Sequence, residues 1–504
     1  MGNISNLFYF CNNYFFQIMP TSNLKQKTTR GLIWSFIEKF SMYGIQFILG
    51  LFIARILEPS HYGLVGMLAI FMAFSAIFID SGFARALIQK QDRTEVDFST
   101  VFYFNLIISL VLYGILFFSA PLIANFYGEP QLVLITRVLS LNFVIQAFNI
   151  VQLTKLAIEM DFKTRAIINT FSVLISGILA LIMAYNGCGV WSLIAQTLTK
   201  TGITILLLLF IKRWMPKLIF SVSSFRSLFR FGSKLLLAST LSSLMYNLYS
   251  FLIGKYFSAK QLGYYTKSLY FTNIIASTAS EVLHNVTFPV MSSVQDEQER
   301  LTNIYRKLIK FTMFIVAPAL LGFALISEPF IRLCLTEKWL PAVPIIRWLC
   351  LARLFIPINS LNINLLNAKG YSGLTLKIEL IKAPIVITSL IITIPLGLKA
   401  IVIGQTIVGV ITFIIYAYFP GKIVHYGPMK QLKDMLPTFI ATVIMVLAVL
   451  PIIRLVPSDF LKIILGIIVG FAVYTLVSIL QKRAEVKEIY TLLVNLKNKY
   501  FSKK

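Results

Sequence analysis

Six cations stand inside long apolar runs of this sequence: Lys39, Arg85, Arg137, Lys200, Arg347 and Arg353. Three acids, Glu38, Asp80 and Glu281, share such runs. At the centre of a membrane helix each cation costs ~2.5–3.5 kcal/mol, so six facing lipid would cost on the order of 15–20 kcal/mol. That penalty calls for a protein-lined or water-filled interior, or for internal acids. With bases outnumbering acids six to three, the interior keeps a positive excess. Such an interior suits an anionic cargo, phosphate or pyrophosphate with or without acidic sugars, which ammonium and guanidinium groups bind well.

Lys200 and Arg353 lie deepest and are read as lining a hydrated cavity, with Lys39, Arg85 and Arg137 as further substrate-binding candidates. Arg85, Arg137 and Arg347 lie near the ends of their runs, where snorkelling to the interface would serve them equally well. Asp80 and Arg85 have a structural ion pair as their other reading. Glu38 and Lys39 are adjacent and therefore point in different directions. Glu38, Asp80 and Glu281 are the candidates for coupling to H⁺ or Na⁺, and no other cofactor is expected. Cys11, Cys188, Cys334 and Cys350 form no CxxC pair, and His61, His284 and His425 lie far apart, so no metal or thiol-redox site is expected. No glycine-rich phosphate loop, GxSxG turn or sizeable extramembrane domain is present, which argues against an enzyme and against an ATP-driven pump.

The elements that must position these groups are apolar helices. With 57% hydrophobic and 13% charged residues over 504 positions, the chain is an all-α polytopic membrane protein. Predicted spans cover about 31–57, 64–88, 98–124, 132–154, 166–186, 190–211, 231–257, 262–291, 308–326, 343–366, 378–396, 399–419, 435–455 and 460–481, 14 in all. The hairpin Leu32–Gln91, turning at Glu58-Pro-Ser-His-Tyr-Gly63, is matched by a second at Phe231–Met291, turning at Ser258-Ala-Lys-Gln-Leu-Gly263. Ile194-Ala-Gln-Thr197 likewise answers Ile403-Gly-Gln-Thr406. Offsets of about 200 residues predict two pseudo-symmetric six-helix lobes, a plan that usually binds cargo between its halves. The expected divisions are 1–24 (an extension, with translation starting at Met19), 25–214 (first lobe), 215–230 (an amphipathic linker), 231–420 (second lobe) and 421–504 (two further helices and a basic tail).

A net charge of +26 could suggest nucleic acid, but the cations sit in short loops and are read as topology determinants. With the N-terminus inside, roughly 31 of the 46 Lys and Arg fall on the inner side and roughly 9 outside, which places both termini in the cytoplasm. In the linker, Phe225, Leu228 and Phe229 share one helical face and Arg226 and Arg230 another. It reads either as an interfacial helix on anionic headgroups or as a solvated basic loop.

Several segments resemble a known family. Leu24-Lys-Gln-Lys-Thr-Thr-Arg-Gly-Leu-Ile-Trp-Ser35, Ala54-Arg-Ile-Leu-Glu-Pro-Ser-His-Tyr-Gly63, Asp80-Ser-Gly-Phe83, Phe288-Pro-Val290 with Gln295-Asp296, Lys338-Trp339 and Ala368-Lys-Gly370 resemble WzxC-type polysaccharide flippases of the multidrug/oligosaccharidyl-lipid/polysaccharide (MOP) superfamily. The resemblance implies two six-helix lobes across a cavity plus two C-terminal helices. It also implies transport of undecaprenyl-pyrophosphate-linked oligosaccharide across the bacterial inner membrane for O-antigen, capsule or exopolysaccharide. The expected partners are that lipid-linked oligosaccharide, membrane lipids, and a polysaccharide polymerase with its chain-length machinery; no nucleic acid is expected. Competing readings are a cation-coupled multidrug exporter of the same superfamily, which would want interior acids, and a membrane-embedded polymerase or ligase, which would want a large outer loop.

Overall fold

The computed structural model describes residues 22–80, 83–90, 92–486 and 488. Its helices, in chain order, are α1 (Ser22–Ile56), α2 (Pro59–Met67), α3 (Ala69–Asp80), α4 (Phe83–Gln89), α5 (Glu95–Tyr127), α6 (Leu132–Ile158), α7 (Phe162–Tyr185), α8 (Val190–Lys212), α9 (Val222–Tyr256), α10 (Ala259–Ser293), α11 (Gln298–Cys334), α12 (Ala342–Ala352), α13 (Ile356–Ala368), α14 (Ser372–Thr393), α15 (Leu398–Val424), α16 (Pro428–Leu455) and α17 (Asp459–Leu480). Among the described residues there is no strand. A bilayer offers the backbone no hydrogen-bond partners, so the apolar runs close their own ladders as helices. Among the described residues the fourteen predicted stretches fall on helices, with turns at Leu68 in the second and at 353–355 in the tenth. Among the described residues 11 helices are long and apolar enough to cross a membrane, or up to 12 if a bent pair is one span, so the full fourteen remains the sequence's own count.

The chain divides into two compact units at Thr266 and Lys267, within α10. In the first unit α5 and α6 form a hairpin, α1 packs along α7, and α8 lies against both α6 and α7. The long helix α9 packs on α3, α4 and α5, so the opening helix of the second sequence half travels with the first unit. In the second unit α11 lies against α16 and α17, while α15 is flanked by α12, α13 and α14.

Local chemistry sets the boundaries. Thr94 caps α5 by accepting from the Asp97 amide, and Asp97 bonds back to the Thr94 amide at 2.8 Å, a reciprocal capping box. At its far end α5 stops at Gly128, whose φ of 72° a side chain would strain. The second predicted span is bent by 45° between α2 and α3. The tenth is broken between α12 and α13 because Pro357 has no N–H for the Arg353 carbonyl and its ring would crowd it. That carbonyl accepts instead from Ile356, at 3.2 Å.

The linker leads into a helix. Ser221 caps α9, accepting from the Ser224 amide at 3.3 Å, and the helix then runs unbroken through the seventh predicted span. Part of its apolar face covers protein, while Phe229 is exposed. Leu228 is buried with Phe83, Leu87, Phe98, Val101, Phe102 and Val151, and Phe225 packs against that cluster with its ring 4.9 Å from that of Phe104. Polar contacts fix the approach: Lys217 donates its amide to Ser99 Oγ (3.0 Å), Ser221 its amide to Thr100 Oγ1 (3.1 Å), and Trp214 Nε1 donates to Glu95 (2.8 Å). Burying Leu228 and packing Phe225 among these rings removes apolar surface from water and holds the start of α9 on the first unit.

Candidate functional site

Of the predicted site residues, the side chains of Asp80, Arg85 and Glu281 lie outside the described residues. Glu38 is 5% exposed and accepts from Arg165 Nε at 3.1 Å and from Asn169 Nδ2 at 2.5 Å, both on α7. This acid, a candidate for ion coupling, is thus clamped in a helix-to-helix contact. Lys39, next to it on α1, is half-buried. Arg137 donates from Nε to the Phe117 carbonyl at 3.3 Å and holds its guanidinium 4.4 Å from the Phe117 ring centre, so it ties α6 to α5.

Lys200 sits near the middle of α8, half-buried, and among the described residues no carboxylate pairs with it. Its surroundings are polar for such a depth. Thr197 and Thr201 bond back to carbonyls one turn earlier at 3.1 and 3.2 Å, and Thr204 donates to the Lys200 carbonyl at 2.9 Å. Asn149 Nδ2 on α6 donates to the Thr201 carbonyl at 3.3 Å. Nearby on α5 and α6, the buried atoms Asn105 Nδ2 and Oδ1, Asn149 Oδ1 and Gln152 Oε1 find no protein partner. Buried polar atoms in this state are usually met by water, so α5 and α6 carry polar groups inside the first unit, with Asn149 the one bonded next to Lys200.

In the second unit Arg353 is 5% exposed and occupies the break between α12 and α13. Neighbouring contacts hold the break in shape. Thr406 Oγ1 donates to the Trp348 carbonyl at 3.1 Å, and the rings of Phe355 and Phe413 stack 4.6 Å apart. A Cβ on Gly409 would meet the Ala352 carbonyl oxygen at 2.9 Å, which shows how closely α15 approaches. Interrupted helices near the bilayer midplane commonly build substrate and ion sites, because they bring polar backbone and a charge into the membrane together.

One buried cation escaped the sequence reading. Lys267, at the start of the predicted span 262–291 and not among the six interior cations, is 4% exposed on α10 with its ammonium 5.0 and 5.3 Å from the ring centres of Tyr270 and Phe271. The missed signal was a capping box. Ser258 and Gln261 exchange side-chain-to-amide bonds of 3.3 and 3.4 Å, which starts the helix at Ala259 and puts Lys267 two turns inside it.

The carboxylates at the linker are tuned by their neighbours. Burial pushes Asp97 up, but hydrogen bonds from Lys90 (2.8 Å), Ser224 and the Thr94 amide outweigh it and hold the carboxyl below the ordinary range. Glu95 is likewise raised by burial and lowered further by Lys155 at 2.7 Å and Trp214 at 2.8 Å. In the second unit Arg306 and Tyr426 overcome the desolvation of Asp434 and hold its carboxyl low.

Residues 52–344 match the model of a family described as polysaccharide biosynthesis protein. The succinoglycan biosynthesis transport protein ExoT of Rhizobium meliloti is 25% identical over 477 residues, covering 93% of this chain and 96% of that protein. The lipopolysaccharide biosynthesis protein WzxC of Escherichia coli is 25% identical over 387 residues, covering 76% and 78%. Among solved structures, the lipid II flippase MurJ in an inward closed conformation superposes with a TM-score of 0.72 at 18% identity, covering 90% of this chain and 99% of that one. An inward-facing multidrug resistance MATE family transporter of the MOP superfamily gives 0.61 at 19% identity, covering 80% and 98%. These structural likenesses show the fold.

Proposed function

The chain belongs to the polysaccharide biosynthesis protein family, and from that premise we propose that it flips a lipid-linked oligosaccharide, carried on polyprenyl pyrophosphate, across the bacterial inner membrane. It is a membrane transporter of the MOP superfamily. The single observation that carries the cargo assignment is Lys200, a half-buried cation within α8 that no carboxylate pairs with among the described residues. A dianionic pyrophosphate diester supplies the missing charge and is itself desolvated only against cations.

In this reading Lys200, Arg353, Lys39, Arg85 and Arg137 are the substrate-binding cations, and the sugars pass through water while the polyprenyl tail stays in lipid. Alternating access exposes the site first to the cytoplasm and then to the outside, with both termini inside. Glu38, Asp80 and Glu281 are the acids through which H⁺ or Na⁺ would be coupled. Transport, not catalysis, is the task, and the delivered oligosaccharide passes to a polymerase with its chain-length machinery.

The test is complementation. A strain lacking its own flippase accumulates lipid-linked oligosaccharide at the inner face, and this chain, expressed with the matching sugar genes, should clear it and restore surface polysaccharide. Continued inner accumulation with the protein present in the membrane would reject the cargo.

A further inference from the structure

The turns of the two repeated hairpins meet in the first unit, and the meeting is reciprocal. A Cβ on Gly63 of α2 would lie 1.7 Å from the carbonyl oxygen of Ala259, and one on Gly263 of α10 would lie 1.8 Å from the carbonyl oxygen of Pro59. Pro59 and Ala259 are the first residues of their helices, and each stands 200 positions from its counterpart, as do Gly63 and Gly263. Each helix therefore presents its opening carbonyl to the glycine one turn inside the other, the arrangement expected where a two-fold axis relates the repeats. The helix starts match as well, with capping boxes from Glu58 to His61 and from Ser258 to Gln261. The approach continues one turn inward, where a Cβ on Gly66 would stand 2.7 Å from Thr266 Oγ1.

Glycine is unfavourable inside a helix, so its presence on both sides of one backbone-to-backbone contact points to the contact itself. We propose that this crossing is a two-fold gate, outer in the orientation inferred above, and that Gly63 and Gly263 set how firmly it stays shut. The proposal rests on the transporter reading and adds to it the place where access from outside is controlled. Nothing smaller than glycine exists and any side chain collides with main chain, so the closed state can be weakened but not strengthened by substitution. Packed helix contacts are bistable and do not deform continuously, so a Cβ at either position parts the two turns.

The experiment uses the full-length chain with its native cysteines replaced and Thr266→Cys introduced as a reporter one turn inside the crossing. In intact cells a membrane-impermeant maleimide should label the reporter slowly. Gly63→Ala and Gly263→Ala, at normal membrane level, should each raise the labelling rate about tenfold, as overpacking shifts a two-state balance. Both should reduce surface polysaccharide. Labelling rates unchanged in both variants would overturn the proposal. Should the variants fail to reach the membrane, Ser60→Cys with Lys260→Cys keeps both glycines. A cleavable bis-maleimide across that pair should stop transport, and cleavage should restore it, whereas full transport in the crosslinked protein would overturn the gate. A reporter that responds as expected in a chain moving no polysaccharide, even with both glycines present, would retire the cargo and leave the gate standing.

Discussion

Two cations within the predicted spans are met by different local devices. Lys200 rests among threonines and Asn149 on continuous helices, whereas Arg353 sits where Pro357 has interrupted the ladder. Removing either charge lowers the cost of inserting its helix, so Lys200→Ala and Arg353→Ala should reach the membrane at normal or raised levels. Each should nevertheless abolish surface polysaccharide in a strain lacking its own flippase. Arg353→Lys keeps the charge but loses the planar fork, and should fall between wild type and Arg353→Ala. Lys260→Ala, exposed at the start of α10, should transport normally. Full polysaccharide from the Lys200→Ala, Arg353→Ala double variant would make both cations structural and end the cationic-site mechanism. Glu38 is held by Arg165 and Asn169, so Glu38→Gln should lower stability by about 1–3 kcal/mol, seen as a lower melting temperature in detergent.

At the scale of elements, the linker is a docked strap. Asp97, 2% exposed, gathers Lys90, Thr94 and Ser224, so Asp97→Ala leaves those donors unmet and should weaken docking by about 2 kcal/mol. Limited proteolysis between Trp214 and Ser224 reads this directly, and cleavage as slow as in wild type would show that the aromatic contacts suffice. The pH dependence has a definite sign. Asp97 and Glu95 titrate below their ordinary values of 3.8 and 4.5 when folded. Their contribution is therefore fully present above those values and is lost only as pH falls through the lowered folded ones. Protection of the strap should be flat from about pH 5 to pH 8 and should fail in stronger acid. The break at Arg353 follows from one residue: Pro357→Ala returns an N–H to the ladder and removes the ring, so it should straighten the tenth span and raise the melting temperature. Transport should fall as the polar turn is lost; a stabilised, fully active Pro357→Ala would show that the interruption is dispensable.

For the whole molecule the main quantity is orientation. The excess of Lys and Arg on one set of loops predicts that a cysteine at Asn186 reacts with an impermeant thiol reagent in intact cells, while one at Ser223 reacts only after the membrane is opened. Both positions are exposed, so accessibility of the side chain is not in question. Labelling in the reverse order would invert the direction of transport proposed here. The two compact units divide within α10, not at the linker, so α9 and the first turns of α10 belong with the first unit.

The helical membrane class, the repeat and the polar break points were legible in the chain because they depend on composition and spacing. Long apolar runs cannot satisfy their backbone in lipid except as helices, and Gly63 and Gly263 keep register whatever surrounds them. The interior cations were legible for the same reason, since charge in an apolar run is conspicuous at any position. Partners were not. That Glu38 is clamped by Arg165 and Asn169, more than a hundred residues away, depends on α1 lying against α7. What Phe225 and Leu228 meet is an aromatic pocket that exists only once α5 and α6 have packed. Lys267 lay between these cases: its capping box was written in the sequence, but its burial came from the rings of Tyr270 and Phe271 folding over it. Periodicity fixes which residues share a helix face, whereas only packing fixes what that face meets.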